Sequence, residues 1–251
     1  MLIDTHCHIH EKDYQIPVSD ALAHAQEAHV EKMICVGTNE QSSEWAVTLA
    51  EKYEHLFATI GVHPHDTAGG YAQIEEMARV KRSSKLVAIG EIGLDYFYTH
   101  SPRDVQLRAL ESQIHTALES KLPIIFHVRE AFDDFWPVFD NFHGIRGELH
   151  SFTDTQVNLE QALARGLYIG VNGISTFTKD ESQKAMFTQI PVERLLLETD
   201  APFLTPTPKR GKVNEPAFVR YVAQHHADIR GMQFDEIATA TSANATALFA
   251  L

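Results

Sequence analysis

Near the start of the chain, "DTHCHIH" (4–10) sets three histidines at alternating positions. Residues two apart on a strand face the same side. His6 and His8 therefore aim two imidazoles at one point while Cys7 between them faces away. Convergent imidazoles suit a divalent metal, and a packed or solvated pair is the plainer alternative. His10 shares their parity but lies beyond the expected strand end, as a rim residue. Residues of similar chemistry close later apolar runs: His63 and His65 in "GVHPHD", Glu91 and Asp95 in "GEIGLD", His127 and Arg129 in "IIFHVR", His150 in "ELHSF", and Asp200 in "LLLETDAP".

Buried strands seldom carry polar side chains, so this many polar tips need a common reason, and a metal centre supplies one. Glu91 has two oxygens and can bridge two cations or instead salt-bridge across the site; Gly90 before it leaves room in a crowded centre. His127 ends the most apolar strand, where an unpartnered imidazole is costly. His150 is one of 15 histidines, and its position rather than its abundance promotes it. His24, His29, His55, His115, His225 and His226 read as surface helix residues. Asp200, after three leucines, suits a ligand or a general base. Trp45, Trp136 and "AFDDFWPVFDNF" (131–142) read as packing, and the acidic "QIEEM" (73–77) as a solvated helix face.

Something must hold these tips together. Short runs at 2–8, 32–37, 57–64, 86–93, 123–129, 147–152, 167–173 and 194–202 read as eight buried parallel strands. Amphipathic stretches separate them, as at 17–30, 42–53, 103–120 and 158–166. This rhythm over 251 residues predicts an α/β chain folded as a (β/α)8 TIM barrel, one domain over 1–251, with active-site groups at the carboxyl ends of the strands. A doubly wound sheet competes, but no Gly-rich dinucleotide turn follows the first strand. The segment 205–216 reads as a long loop after strand eight, and two helices close the chain. No 18-residue apolar window and no leader pattern occur, so no membrane association is expected; two cysteines in apolar runs suit a cytoplasmic location. The 21 basic and 34 acidic residues give a net charge of −13, which argues against passive nucleic-acid binding by charge alone.

The ordered motifs "DTHCH", "GVHPHD", "AIGEIGLDY", "IIFHVRE", "LHSFT", "YIGVNG", "LLLETDAPFLTP" and "RGKVNEP" resemble the TatD family of metal-dependent deoxyribonucleases over nearly the whole chain. The resemblance implies a metal-dependent hydrolase cleaving DNA phosphodiester bonds from the 3′ end, with two divalent ions (Mg²⁺, Mn²⁺ or Zn²⁺), three in some members. It implies His6, His8, Glu91 and Asp200 around one ion and Glu91, His127 and His150 around the other, with Glu91 bridging and Asp200 and Glu91 catalytic. His63, His65, Arg129, Arg210 and Asn214 would face substrate. The chain departs from the family pattern at His10 and Glu130, where Asp is common, and at Asp154, where Gly is common and the added charge bears on substrate choice. The overall charge points to single-stranded or frayed DNA ends as substrate, and no obligate protein partner is evident. The alternative is a binuclear hydrolase of small esters, amides or phosphotriesters; Glu91, where such barrels carry a carboxylated lysine, favours the nuclease. A non-catalytic protein stabilised by metal is the third reading, which a closed ligand shell would favour.

Overall fold

Apolar runs too short for helices become strands in the computed structural model, which describes residues 1–80, 83–98 and 100–251. The strands are β1 (Leu2–Cys7), β2 (Val30–Val36), β3 (Leu56–Ile60), β4 (Leu86–Asp95), β5 (Ile124–Arg129), β6 (Gly147–Leu149), β7 (Tyr168–Val171) and β8 (Leu195–Leu197). They lie parallel in chain order and alternate with helices, the (β/α)8 barrel that the spacing predicts. Two compact units are distinguishable: Met1–Ile34 with Ser151–Leu251, and Cys35–His150.

In the Cys35–His150 unit, β4 and β5 set Gly93 opposite His127 and Asp95 opposite Arg129. Their register shifts between Ile89 and Ile92, so Glu91 sits in an irregularity of the strand. The space left by Gly90 goes to β5: a Cβ there would lie 2.6 Å from Ile125 Cβ. The room is for strand packing rather than for a crowded centre. Gly93 has φ +153°, and a Cβ on it would fall 1.8 Å from the His127 carbonyl oxygen. From the helix Arg103–Ser120, two buried glutamines hold the strand tips. Gln113 accepts from Val62 N at 2.7 Å and donates to its carbonyl at 3.2 Å, while Gln106 does the same for Asp95 at 2.9 and 3.1 Å. Phe126 packs against Phe135 and Phe139 of the helix Phe132–Asp140, with Trp136 also buried, as expected for packing residues. Each such ring contributes about 1.5–3 kcal/mol by burial.

In the other unit, β8 stops at Leu197, five residues before its expected end. Hydrogen bonding explains why: the Thr199 N–H and hydroxyl both go to the buried Asp4 carboxyl, at 2.8 and 2.6 Å. Asp200 then adopts φ +57° and donates its N–H to His6 O at 2.8 Å. β6 ends three residues early because Ser151 takes φ +49°. The chain from Glu198 to Asn214 forms no helix or extended strand, matching the expected loop. The two closing helices run Val219–Arg230 and Phe234–Phe249, the latter opened by a capping box of Gln233 and Glu236. His226 is fully buried rather than on the surface, and His225 is half-buried. Arg230 donates to His226 Nδ1 at 2.7 Å, which fixes Nδ1 as acceptor and leaves Nε2–H for Ser175 Oγ at 3.0 Å. Among the described residues, no helix is long and apolar enough to cross a membrane.

Candidate metal centre

Strand parity brings His6 and His8 together as expected. Their Nε2 atoms are 3.1 Å apart, and Asp200 Oδ1 lies 3.7 and 3.3 Å from them. Donors about 2.0–2.2 Å from a tetrahedral ion stand roughly 3.4 Å from one another, so this trio fits a divalent cation. The left-handed turn at Asp200 points its carboxylate back toward β1. Asp4 lies behind the trio, accepting from His6 N at 3.3 Å as well as from Thr199. Burial drives its pKa well above the carboxylate range against the pull of those hydrogen bonds.

A second trio forms in the Cys35–His150 unit from His63, Glu91 and His127, with His150 beside it. Glu91 Oε1 lies 2.8 Å from His127 Nδ1, 3.1 Å from His150 Nε2 and 3.6 Å from His63 Nε2. Burial alone would raise the Glu91 pKa. The imidazoles of His150, His63 and His127 outweigh it and hold the carboxylate ionised well below its usual range. Burial, reinforced by neighbouring His127, lowers His63 well below 6.5, and its Nδ1 accepts from His65 N at 3.1 Å, which turns Nε2 toward Glu91. An ionised carboxylate ringed by imidazole nitrogens again fits a divalent ion.

Asp95, recognised in the sequence only as a polar strand tip, organises this second trio. Its Oδ2 lies 2.9 Å from His65 Nε2 and 3.2 Å from His127 Nε2, while Oδ1 accepts from Phe97 N and Tyr98 N at 2.9 and 3.1 Å. Burial opposes its ionisation, yet the His127 and Tyr98 hydrogen bonds carry its pKa well below the ordinary value. His127 itself is raised: burial disfavours its charge, but hydrogen bonds to Asp95 and Glu91 overcome that. A carboxylate behind a ligating histidine fixes the ring and its tautomer.

The residues expected to face substrate separate. His63 joins the Glu91 group, and His65 sits on Asp95. Arg129 is exposed, its guanidinium 3.8 Å from the Phe97 ring centroid. Arg210 is exposed, 3.9 Å from the Phe177 centroid, and donates to Thr205 O. Asn214 is fully buried, and its amide donates to the carbonyls of Thr199 and Phe203 on either side of Asp200. His10 departs from its expected rim position. The chain turns at His8, tucking the imidazole inside at 3.3 Å from Glu11 Oε1. Asp154 spends its charge locally, accepting from Thr155 N and Asn158 Nδ2.

A family model described as TatD related DNase matches residues 3–250. A Bacillus subtilis protein named "Uncharacterized metal-dependent hydrolase YabD" is 37% identical over 254 residues, covering 99% of both chains. The "3'-5' ssDNA/RNA exonuclease TatD" of Citrobacter rodentium is 36% identical over 242 residues, covering 92% of this chain and 91% of its own. Among solved structures, the TatD homologue YJJV of Escherichia coli superposes with a TM-score of 0.92 at 29% identity, covering 100% of this chain and 98% of that one.

Proposed function

Because this chain belongs to the TatD-related DNase family and is a metal-dependent hydrolase, we propose that it removes nucleotides from the 3′ ends of DNA strands by phosphodiester hydrolysis. The observation carrying this reading is the pair of convergent donor sets, His6–His8–Asp200 and His63–Glu91–His127, each with a carboxylate among imidazoles. By the family resemblance, His6, His8 and Asp200 would hold one divalent ion and Glu91, His127 and His150 a second, with Glu91 common to both and His63, which the geometry groups with Glu91 and His127, beside them. Mg²⁺, Mn²⁺ and Zn²⁺ are the candidate ions. Bound there, they supply Lewis acidity at the phosphoryl oxygens and a water of lowered pKa. Asp200 takes the proton of the attacking water, and the buried Asn214 amide keeps the Asp200 turn in place. Arg129 and Arg210 meet phosphate charge, and His63 and His65 line the approach. The whole chain, 1–251, acts as one catalytic domain.

The substrate is a single-stranded or frayed end. With a net charge of −13, only local cations hold the strand, enough for a few phosphates and too few for duplex tracking. RNA ends are a second substrate, in keeping with the name of the Citrobacter relative. Two buried cysteines outside any disulfide suit a cytoplasmic enzyme. The test strips the protein of metal, reloads it with each ion, and offers 3′- and 5′-labelled DNA and RNA beside a panel of small esters and lactones. Metal-dependent shortening from the 3′ end is expected, reduced about hundredfold or more by Glu91→Ala. Ester turnover without nucleic-acid cleavage would replace this reading with the small-ester alternative, and equal activity in Glu91→Ala would sink the shared-carboxylate arrangement.

A further inference from the structure

Beyond the second trio lies a feature that phosphate hydrolysis leaves unexplained. Phe97 and Tyr98, directly after β4, are 48% and 43% exposed, although large aromatic side chains ordinarily stay covered. Their rings meet edge to face at 4.6 Å. The Arg129 guanidinium stands 3.8 Å from the Phe97 centroid and 5.2 Å from that of Tyr98, and His100 stacks on Tyr98 at 5.5 Å with 23° between planes. The backbone under the cluster is held, because Asp95 Oδ1 accepts from the backbone N–H of both aromatics. It is also contiguous with the metal-ligating residues: Tyr98 lies 5.4 Å from His65, His65 lies 4.4 Å from His63, and Asp95 joins His65 to His127.

We propose that Phe97 and Tyr98, flanked by Arg129, form a stacking platform for the nucleobase next to the scissile phosphate. The proposal rests on the nuclease reading above and names how that site holds its substrate. Half-exposed aromatic rings, Phe97 backed on one face by Arg129 and Tyr98 on one face by His100, match the two parts of a nucleotide: a base that stacks on the opposite face and a phosphate that meets the cation. Stacking accepts every base, so the platform gives grip without sequence preference. It also accounts for binding by a chain of net charge −13, since grip from stacking needs no broad basic surface. The same geometry requires an unpaired base, because a base within a duplex offers neither face.

The test measures binding and shortening of a single-stranded DNA oligonucleotide and of its twin carrying abasic sites at the three 3′-terminal positions. Wild type, Phe97→Ala and Phe97→Leu are compared in the metal-loaded enzyme. In the wild type, removing the bases is expected to weaken Kd about tenfold or more; in Phe97→Ala that penalty shrinks to about twofold, with Phe97→Leu close to alanine. A 2-aminopurine at the 3′ end should be quenched on binding to wild type and not to Phe97→Ala. Because each variant is compared with itself on two substrates, partial loss of folded protein cancels. Equal base dependence in wild type and Phe97→Ala overturns the platform while leaving the nuclease reading intact. Absence of oligonucleotide binding and cleavage in the wild type overturns both.

Discussion

Replacing Asp95 by Asn changes one atom and inverts a hydrogen bond on which the second trio depends. In the wild type, Oδ2 faces Nε2 of both His127 and His65 at 3.2 and 2.9 Å, so each ring keeps a proton there. That leaves His127 Nδ1, 2.8 Å from Glu91 Oε1, able to release its proton to an incoming ion. An asparagine oxygen can still serve the Phe97 and Tyr98 N–H groups, but its amide nitrogen donates where the carboxylate accepted. His127 must then carry its proton on Nδ1, the nitrogen needed for the ion. Losing such an orienting partner costs roughly 10- to 100-fold in metal affinity, about 1.4–2.7 kcal/mol. The assay is competition for Zn²⁺ or Mn²⁺ against a chromophoric chelator on metal-stripped protein, with circular dichroism confirming the fold. Two binding phases are expected in the wild type, and only the one dependent on Glu91 should weaken in Asp95→Asn. Affinities within twofold of wild type, with the fold unchanged, would refute the tautomer reasoning.

Asp4 should tolerate Asn better than Ala, because an amide oxygen can still accept from the Thr199 and His6 N–H groups whereas alanine leaves both buried donors unpaired; urea denaturation should show the larger cost, about 1–3 kcal/mol, for Ala. His226 is held below 6.5 by burial, by Arg230 and by His225. The unfolded chain therefore binds the extra proton as pH falls below about 6.5, and stability drops there. Over pH 6 to 5, the wild type should lose up to about 1.2 kcal/mol more than His226→Gln; parallel slopes would contradict the buried neutral imidazole. Gly93→Ala should yield insoluble or strongly destabilised protein, read from soluble yield and thermal melting, since its Cβ would collide with the backbone of β5.

His6 and His8 were legible because strand parity alone makes them converge. Glu91, His127 and His150 were legible as polar tips on apolar runs. Asp95 carried the same signal and Asp4, inside the first apolar run, carried none, and the roles of both depend on partners the sequence does not place beside them. Asp4 serves Thr199, 195 positions away, and Asp95 serves His127 and His65. The same bond shortens β8 below its expected span, since the Thr199 N–H answers a side chain instead of a neighbouring strand. His226 misled because helical position suggests a surface, whereas Arg230, one turn on, both neutralises its need for a partner and turns toward the carbonyls of Phe187 and Ile190. Those acceptors close the helix Glu181–Gln189, an element with no distinct sequence signature among its neighbours.

The two donor sets differ in how the chain supplies them. His63, Glu91, His127 and His150 all fall within the continuous Cys35–His150 unit, whereas His6 and His8 wait for Asp200 to arrive from the far end of the sequence. A ribosome delivers residues in that order, and segments complete in sequence can fold before later ones emerge. In the sequence, the set built around Glu91 is therefore complete before Asp200 is added, and the set that includes the proposed base is completed last. Arrested nascent chains ending before and after Asp200, probed for bound metal, should hold an ion at the Glu91 set in both cases; metal in the longer chains alone would refute a loading order that follows translation.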